Sequence, residues 1–392
     1  MGLKTKLMNI VKYNKFVFGM YEFCGNTGLH ILRCFVKQDP KTILITCFGG
    51  KKYDDSPKAI YEEMIKDLRF DDYRIVWAFR DPEKHDIPRG EKVKIDTFAY
   101  YKLMYKARVW ITNSGMERGL NFDAKNVCHV QTWHGTAIKK IGTDSSGDGF
   151  GQTKDTPVSL WLAQCPHDVD VFSRAMGVSR NVIKMMGLPR NDVLATYNEE
   201  KQKELKKKLG IAENKKVILY APTYREFSRD AANNCVIAPP INLELWKEKL
   251  CNEYVLLFRA HYEVVQSLNI EDDDFCKDVS SYPDLNELMM ASDVLLSDYS
   301  SIYFDYAILG KPMLCFVYDY NEYVEKRGVY FDIREALEDY SANENEVIDN
   351  LLNIDMEKRK AVAERFRSKY VTAYGNASKQ VIDFISNNVS KQ

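Results

Sequence analysis

Short apolar runs alternate with amphipathic stretches along this chain, and the alternation happens twice. The runs at 42–48, 73–79, 92–95, 108–112, 127–132, 159–165 and 182–186 read as strands, with helices predicted at 57–68 and 168–176. A strongly charged stretch at 197–214 then reads as a surface helix and a boundary. Beyond it the pattern restarts, with strands at 216–220, 254–258, 294–297 and 313–318 and helices at 243–250, 285–291 and 300–309. Alternating strand and helix predicts parallel sheets covered by helices, so the fold class is α/β with two lobes. The division expected is a basic amphipathic segment at 1–38, a first lobe at 39–200 and a second lobe at 201–392.

The length of 392 residues suits two domains, and 55 Lys plus Arg against 56 Asp plus Glu leave a net charge of −1. Such a balance gives no global basic field, and nucleic acid is not expected as a partner. The nine cysteines are odd in number and form no CxxC pair, which points to reduced cysteines in a cytosolic protein and away from a zinc site. No apolar run approaches the roughly 18 residues needed to span a bilayer, and no signal peptide is evident.

In open α/β sheets, ligands bind outside the carboxyl ends of strands. Polar clusters fall at several such ends. Trp133-His134-Gly135-Thr136 offers an imidazole, a glycine that admits close approach, a hydroxyl and, if Ala137 opens a helix, free N–H groups. Thr223 with Arg225, Arg259 with His261, and Asp298-Tyr299-Ser300-Ser301 follow strands of the second half. Arg190-Asn191-Asp192 follows another strand near the boundary. Ser300 and Ser301 could hold a phosphate at a helix start, and Asp305, one turn on, could accept a hydroxyl. Each cluster also has a plainer reading: a buried histidine, a cap, an ion pair or a turn. Asp272-Asp273-Asp274 reads as a solvated loop and not as a metal site.

Taken together the clusters resemble the CDP-glycerol:poly(glycerophosphate) glycerophosphotransferase family. The resemblance runs in order from Phe48-Gly49-Gly50-Lys51 and Ser56-Pro57-Lys58 through Trp133-His134-Gly135-Thr136 and Gly187-Leu188-Pro189-Arg190-Asn191-Asp192. It continues with Ala221-Pro222-Thr223-Tyr224-Arg225, Arg259-Ala260-His261, Asp298-Tyr299-Ser300-Ser301, Phe304-Asp305-Tyr306, Lys311-Pro312 and Arg327-Gly328-Val329-Tyr330-Phe331-Asp332. One departure is Ala137, where the family often has proline; that residue aids conformation and carries no chemistry.

The resemblance implies a GT-B-like architecture: two Rossmann-like lobes with a cleft between them, here with an additional helical N-terminal segment. It implies transfer of a polyol phosphate, glycerol phosphate by default, from a CDP-alcohol donor to a hydroxyl acceptor, with release of CMP. The acceptor would be a lipid-linked saccharide or a polyol-phosphate polymer in teichoic acid synthesis of a Gram-positive-type bacterium. Carried over, His134 and His261 are the catalytic candidates. Trp133, Gly135, Thr136, Arg190, Pro222, Thr223, Arg259, Ser300, Ser301 and Asp305 would surround the CDP-alcohol. His134 suits a general base at neutral pH. His261, Arg259, Ser300 and Ser301 could stabilise the leaving CMP with no metal and no cofactor.

A GT-B glycosyltransferase or epimerase using a nucleotide sugar is one alternative, and a non-catalytic polymer-binding protein is another. At 1–38, Lys4, Lys6, Lys12, Lys15, Arg33 and Lys37 face Glu22 alone. A helical projection groups Leu3, Leu7, Ile10, Val11, Val17, Phe18 and Tyr21 and leaves Phe16 on the other side. The expectation is a peripheral contact with an anionic membrane on its cytoplasmic face. A helix packed on the first lobe or at a dimer interface is the competing reading, so an oligomer stays open.

Overall fold

A computed structural model describes residues 14–122, 126–145, 157–223, 225, 239–260, 270 and 272–389. Seven strands form the first sheet: β1 (Asp39–Thr46), β2 (Arg74–Phe79), β3 (Glu91–Lys94), β4 (Ala107–Thr112), β5 (Cys128–Gln131), β6 (Leu160–Ala163) and β7 (Ile183–Met185). Five form the second: β8 (Lys216–Tyr220), β9 (Tyr254–Phe258), β10 (Cys276–Asp278), β11 (Val294–Ser297) and β12 (Met313–Cys315). Their spatial orders are β3-β2-β1-β4-β5-β6-β7 and β10-β9-β8-β11-β12. Every named pairing is parallel, as between Ile43 and Ile75 or Val217 and Val255.

In each sheet the first strand lies inside and the order reverses beside it. The reversals, β1/β4 and β8/β11, are the switch points at which such sheets open a crevice. The strands read as continuous apolar runs because helices cover both faces. Along β2, Trp77 and Phe79 join one core cluster with the helix Asp55–Met64 and the last helix, Ala377–Val389. Val76 and Ala78 point the other way, into a cluster with Leu29, Tyr100 and Met104. The second sheet divides likewise, with Val217 and Leu219 on one side and Ile218 and Tyr220 on the other. The last helix returns to the first sheet, where Val381, Ile382 and Ile385 are buried.

Three features differ from expectation. The helices Phe98–Lys106, Tyr320–Arg327 and Ile333–Ala336 and the strand β10 are additions. No helix starts at Ala137: Trp133 and Gly135 have φ of 54° and 141°, values that do not lead into a right-handed helix. The chain instead runs on to pair with the second lobe, where Lys139 bridges Val329 and Tyr330 N donates to Ile138 O at 2.8 Å. The N-terminal helix Lys15–Phe35 presents the opposite face from the one expected. Tyr21 Oη donates to Arg118 O at 2.9 Å and the Phe18 ring lies 3.7 Å from where a Cβ on Gly119 would stand, so these two residues face the lobe. Phe16, Met20, Phe23, Ile31 and Phe35 are the exposed apolar residues. Leu3, Leu7, Ile10 and Val11 lie outside the described residues. No helix among those described is long and apolar enough to cross a membrane.

Candidate active site

The two switch points face each other across a cleft of about 440 Å³. Phe48, Lys52, Asp54, Asp55 and His134 line it from the first lobe, and Pro222, Arg259, Ser300 and Ser301 from the second. His134 follows β5. Its Nδ1 lies 2.9 Å from the carbonyl oxygen of Asn113, a partner that can only accept, so Nδ1 carries the proton and Nε2 keeps its lone pair. The ring stacks on Trp133 at 4.3 Å and meets the edge of Phe48 at 5.8 Å. Burial holds the imidazole below the ordinary histidine range, while the Asn113 carbonyl and Asp55 pull upward and Arg190 downward. The result is a neutral, oriented imidazole.

The backbone around this ring is unusual. Phe48, Asp55 and Trp133 are non-glycine residues at φ of 47°, 60° and 54°. Left-handed conformations of this kind cluster at functional sites because the surroundings must over-determine them. Asn113 supplies much of that constraint. Fully buried, it accepts from Phe48 N through its side chain at 2.8 Å while its carbonyl holds His134.

Arg190 joins the lobes. It donates to Asp55 at 2.6 Å and to the His134 carbonyl at 2.9 Å on one side, and to Asp305 at 2.8 Å on the other. Asn191 donates to the second oxygen of Asp305 at 2.6 Å. The carboxylate expected to reach a ligand hydroxyl is thus engaged at both oxygens. Burial pushes the Asp305 carboxyl upward, and Arg190 and Asn191 oppose it. For Asp55, Arg190 and the Ser56 amide outweigh burial and hold the carboxyl below the usual range.

The second lobe supplies positive charge and hydroxyls. Arg259 donates to the carbonyls of Val279 and Tyr282 at 2.9 and 2.7 Å and forms no ion pair among the described residues. It is therefore a cation available to a phosphate. Among the described residues the Ser301 side chain makes no capping bond to the helix Ile302–Ala307. Ser300 Oγ accepts from Ile302 N at 3.3 Å. Gly135 reaches this wall: an added Cβ would lie 2.9 Å from Ser301 Oγ.

Other expected residues stand behind the cleft. Thr136 is buried and donates to Asp168 at 3.0 Å. Trp133 packs on Trp161 and Phe172 as well as on His134. Thr223 N donates to Asp298 at 2.9 Å, and its buried hydroxyl has no partner among the described residues. Arg225 is a buried hub that donates to Asp298 and Asp319 at 2.8 and 2.7 Å. His261 lies outside the described residues. Asp55, Asn113 and Lys52 enter the site without having been singled out. For Asp55 and Lys52 the only sequence hint is proximity to Phe48-Gly49-Gly50. Asp273 caps its own loop, accepting from Phe275 N and Cys276 N at 2.7 and 2.6 Å. Among the described residues no group of three or more His, Cys, Asp or Glu is arranged for a metal ion.

The chain is similar to known proteins. The chain is 34% identical over 376 residues to a teichoic acid poly(glycerol phosphate) polymerase of Staphylococcus epidermidis, matching 90% of this chain and 51% of that protein. It thus spans about half the length of that relative. It is 31% identical to a teichoic acid glycerol-phosphate transferase of Staphylococcus aureus, covering 88% of this chain and 92% of the other. A structure of a variant of the wall teichoic acid polymerase TagF, soaked with CDPG, superposes with a TM-score of 0.82 at 31% identity over 94% of each chain. The architecture is GT-B-like in both. The family model for CDP-glycerol:poly(glycerophosphate) glycerophosphotransferases matches residues 29–387, and the chain belongs to that family.

Proposed function

We propose that this protein transfers glycerol phosphate from CDP-glycerol to a hydroxyl of a lipid-linked saccharide or polyol-phosphate acceptor, releasing CMP. The observation that carries this reading is His134, a neutral imidazole whose tautomer is set by Asn113, facing Arg259 and Ser301 across one cleft. The acceptor hydroxyl gives its proton to Nε2 of His134 as its oxygen bonds to the β-phosphorus. The bond from that phosphorus to the bridging oxygen breaks, and the electron pair leaves with CMP. Arg259 and the Ser301 hydroxyl meet the growing charge. Pro222, Ser300 and Gly135 shape the donor pocket, Trp133, Thr136, Thr223, Arg190 and Asp305 hold its walls, and His261 is the second catalytic candidate. The names of the two staphylococcal relatives favour glycerol over ribitol as the polyol.

The outward face of the helix Lys15–Phe35 supports a peripheral position on the cytoplasmic side of the membrane. Its exposed residues include Phe16, Met20, Phe23, Ile31 and Phe35, and Lys, Arg, Asp and Glu are missing among those described there. The deciding experiment incubates the protein with a synthetic lipid-linked disaccharide and CDP-glycerol, CDP-ribitol or UDP-sugars, and reads product mass and nucleotide release. CMP release with one added glycerol phosphate is expected. UDP release from a UDP-sugar, or binding of CDP-glycerol without turnover, would replace this reading with one of the alternatives.

A further inference from the structure

We infer that Arg80 and Arg118 form an anion subsite on the first lobe that takes a phosphate group of the acceptor. This rests on the transferase reading above and adds to it where the acceptor's own charge is held.

The two guanidinium groups come from different strand ends, Arg80 directly after β2 and Arg118 in the loop after β4. Both reach the turn after β1. A Cβ built on Gly49 would lie 3.7 Å from one terminal nitrogen of Arg80 and 3.9 Å from one of Arg118. Two cations thus converge on one point of the loop at the carboxyl edge of the sheet, where such folds bind ligands. Bringing like charges together is unfavourable unless an anion sits between them. The protein supplies only part of that charge. Arg118 is matched by Asp96, with contacts of 2.7 and 3.1 Å. Asp81, next to Arg80 in sequence, makes its ion pair with Lys84, at 3.3 Å, and acts on Arg80 only through its field. Arg80 donates through Nε to Gly49 O at 3.1 Å and forms no ion pair among the described residues. The residue is exposed overall, and its guanidinium has a terminal fork of the kind that matches a phosphate. Burial and the neighbouring Arg118 disfavour its charge and outweigh the opposing pull of Asp96 and Asp81, a cost that a bound oxyanion would relieve.

The location selects the acceptor. On one side, the Arg118 carbonyl is tied to the N-terminal helix through the Tyr21 hydroxyl, and a Cβ built on Gly119 would lie 3.7 Å from the Phe18 ring of that helix. The other face of the same helix is the exposed apolar one. On the other side, Phe48, the residue before Gly49, touches the His134 ring. The arginine pair therefore lies between a surface suited to lipid and the proposed base. Arg259 and Ser301, which suit the donor, approach from the other lobe. A phosphate that links a saccharide to lipid and one that links polyol units in a polymer present the same oxyanion, so either could occupy the pair.

The test compares wild type, Arg80→Gln and Arg80→Lys with three acceptors: the saccharide on a lipid diphosphate, the same saccharide on a neutral alkyl chain, and that neutral form extended by one glycerol phosphate. Arg80→Gln should raise KM about tenfold for the phosphate-bearing acceptors. It should leave kcat, KM for CDP-glycerol and the neutral acceptor within about twofold, and Arg80→Lys should recover part of the loss. The phosphate-bearing acceptor that loses more identifies the source of the bound phosphate. Unchanged KM for both, or an equal rise for CDP-glycerol or the neutral acceptor, would overturn the assignment. Equilibrium binding of the lipid diphosphate and of a glycerol phosphate oligomer is measured in parallel without donor. If wild type releases no CMP, the transferase reading fails, while weaker binding by Arg80→Gln would still support the anion site and equal binding would reject it. Arg80 holds a single backbone carbonyl, so thermal melting should be unchanged by its substitution.

Discussion

Gly135 and Ser301, from opposite lobes, approach so closely that a Cβ on the glycine would stand 2.9 Å from the serine Oγ and 3.1 Å from its Cβ. Gly135 also has φ of 141°, a conformation that L side chains rarely adopt. Two independent constraints therefore require glycine here. Gly135→Ala is expected to lower kcat/KM by at least about tenfold, because a displacement on the order of 1 Å at a reacting site costs this much or more. Steady-state kinetics with a melting curve would check it. Wild-type kcat/KM in the alanine variant would show that the contact does not shape the reacting geometry.

His134 gives the next prediction. Replacement by alanine should reduce kcat by about 10²–10⁴-fold, the usual contribution of a positioned base, with the circular dichroism spectrum retained. The pH profile follows from the direction of its shift. Burial lowers the pKa, so the active neutral form persists to lower pH than it would for an ordinary histidine near 6.5. Activity should fall on the acid side only as pH drops through that lowered value. An acid limb above about 6.5, or a folded His134→Ala protein with wild-type kcat, would remove His134 from the mechanism.

Arg190 should act mainly on stability. It sits between the buried carboxylates of Asp55 and Asp305, with side-chain exposures of 15%, 6% and 4% respectively. Arg190→Ala would leave both acids buried without their cation, a change that typically costs about 3–5 kcal/mol. Arg190→Lys should recover only part of this, since one ammonium cannot reproduce the fork that spans both lobes. Denaturant unfolding would measure the difference. A loss below about 1 kcal/mol for Arg190→Ala would mean that the carboxylates find other partners.

These residues show what the sequence makes legible and what it hides. The strands were readable because buried parallel strands form continuous apolar runs, as in Ile43-Leu44-Ile45. His134, Arg259 and Ser301 were readable because they follow such runs. Asp55 and Asn113 were not, since their importance depends on contacts with Arg190 and His134 far away in the chain. Ala137–Ile141 looked helical, but its pairing partner, near Val329, lies almost two hundred residues on. For Asp305 the sequence placed the residue near the cleft but could not show that Arg190 and Asn191 already occupy it.

Metal removal is the fourth prediction. In the proposed reaction the guanidinium of Arg259 would meet the donor phosphates, with the Ser301 hydroxyl and Lys52 on the same cleft. EDTA should therefore leave CMP release within about twofold of the untreated rate, because fixed cations and donors can meet the developing charge. Complete loss in EDTA with recovery on adding Mg²⁺ would assign the donor phosphates to a metal instead.

The last prediction concerns the helix Lys15–Phe35, whose two faces have different tasks. Leu29 is 4% exposed and belongs to the first-lobe core, so the inner face fastens the helix to the protein. Phe16 and Phe23 are 76% and 74% exposed and lie on the outer face with Met20. The helical projection groups Val17, Phe18 and Tyr21 apart from Phe16 but cannot tell which side the lobe covers. Burying a large apolar side chain is worth about 1.5–3 kcal/mol, so insertion of the outer face into the acyl boundary could retain the protein on a bilayer. Phe16→Ser, Met20→Ser and Phe23→Ser together should abolish co-sedimentation with anionic liposomes while keeping the melting temperature and the turnover of a soluble acceptor. These changes spare the core that removal of the whole segment would disturb. Binding should also weaken as salt rises if Lys4, Lys6 and Lys12 contribute near the surface. Equal liposome binding by the triple variant and wild type would reject this face as the membrane contact, and equal binding to neutral and anionic liposomes at low salt would reject the electrostatic part.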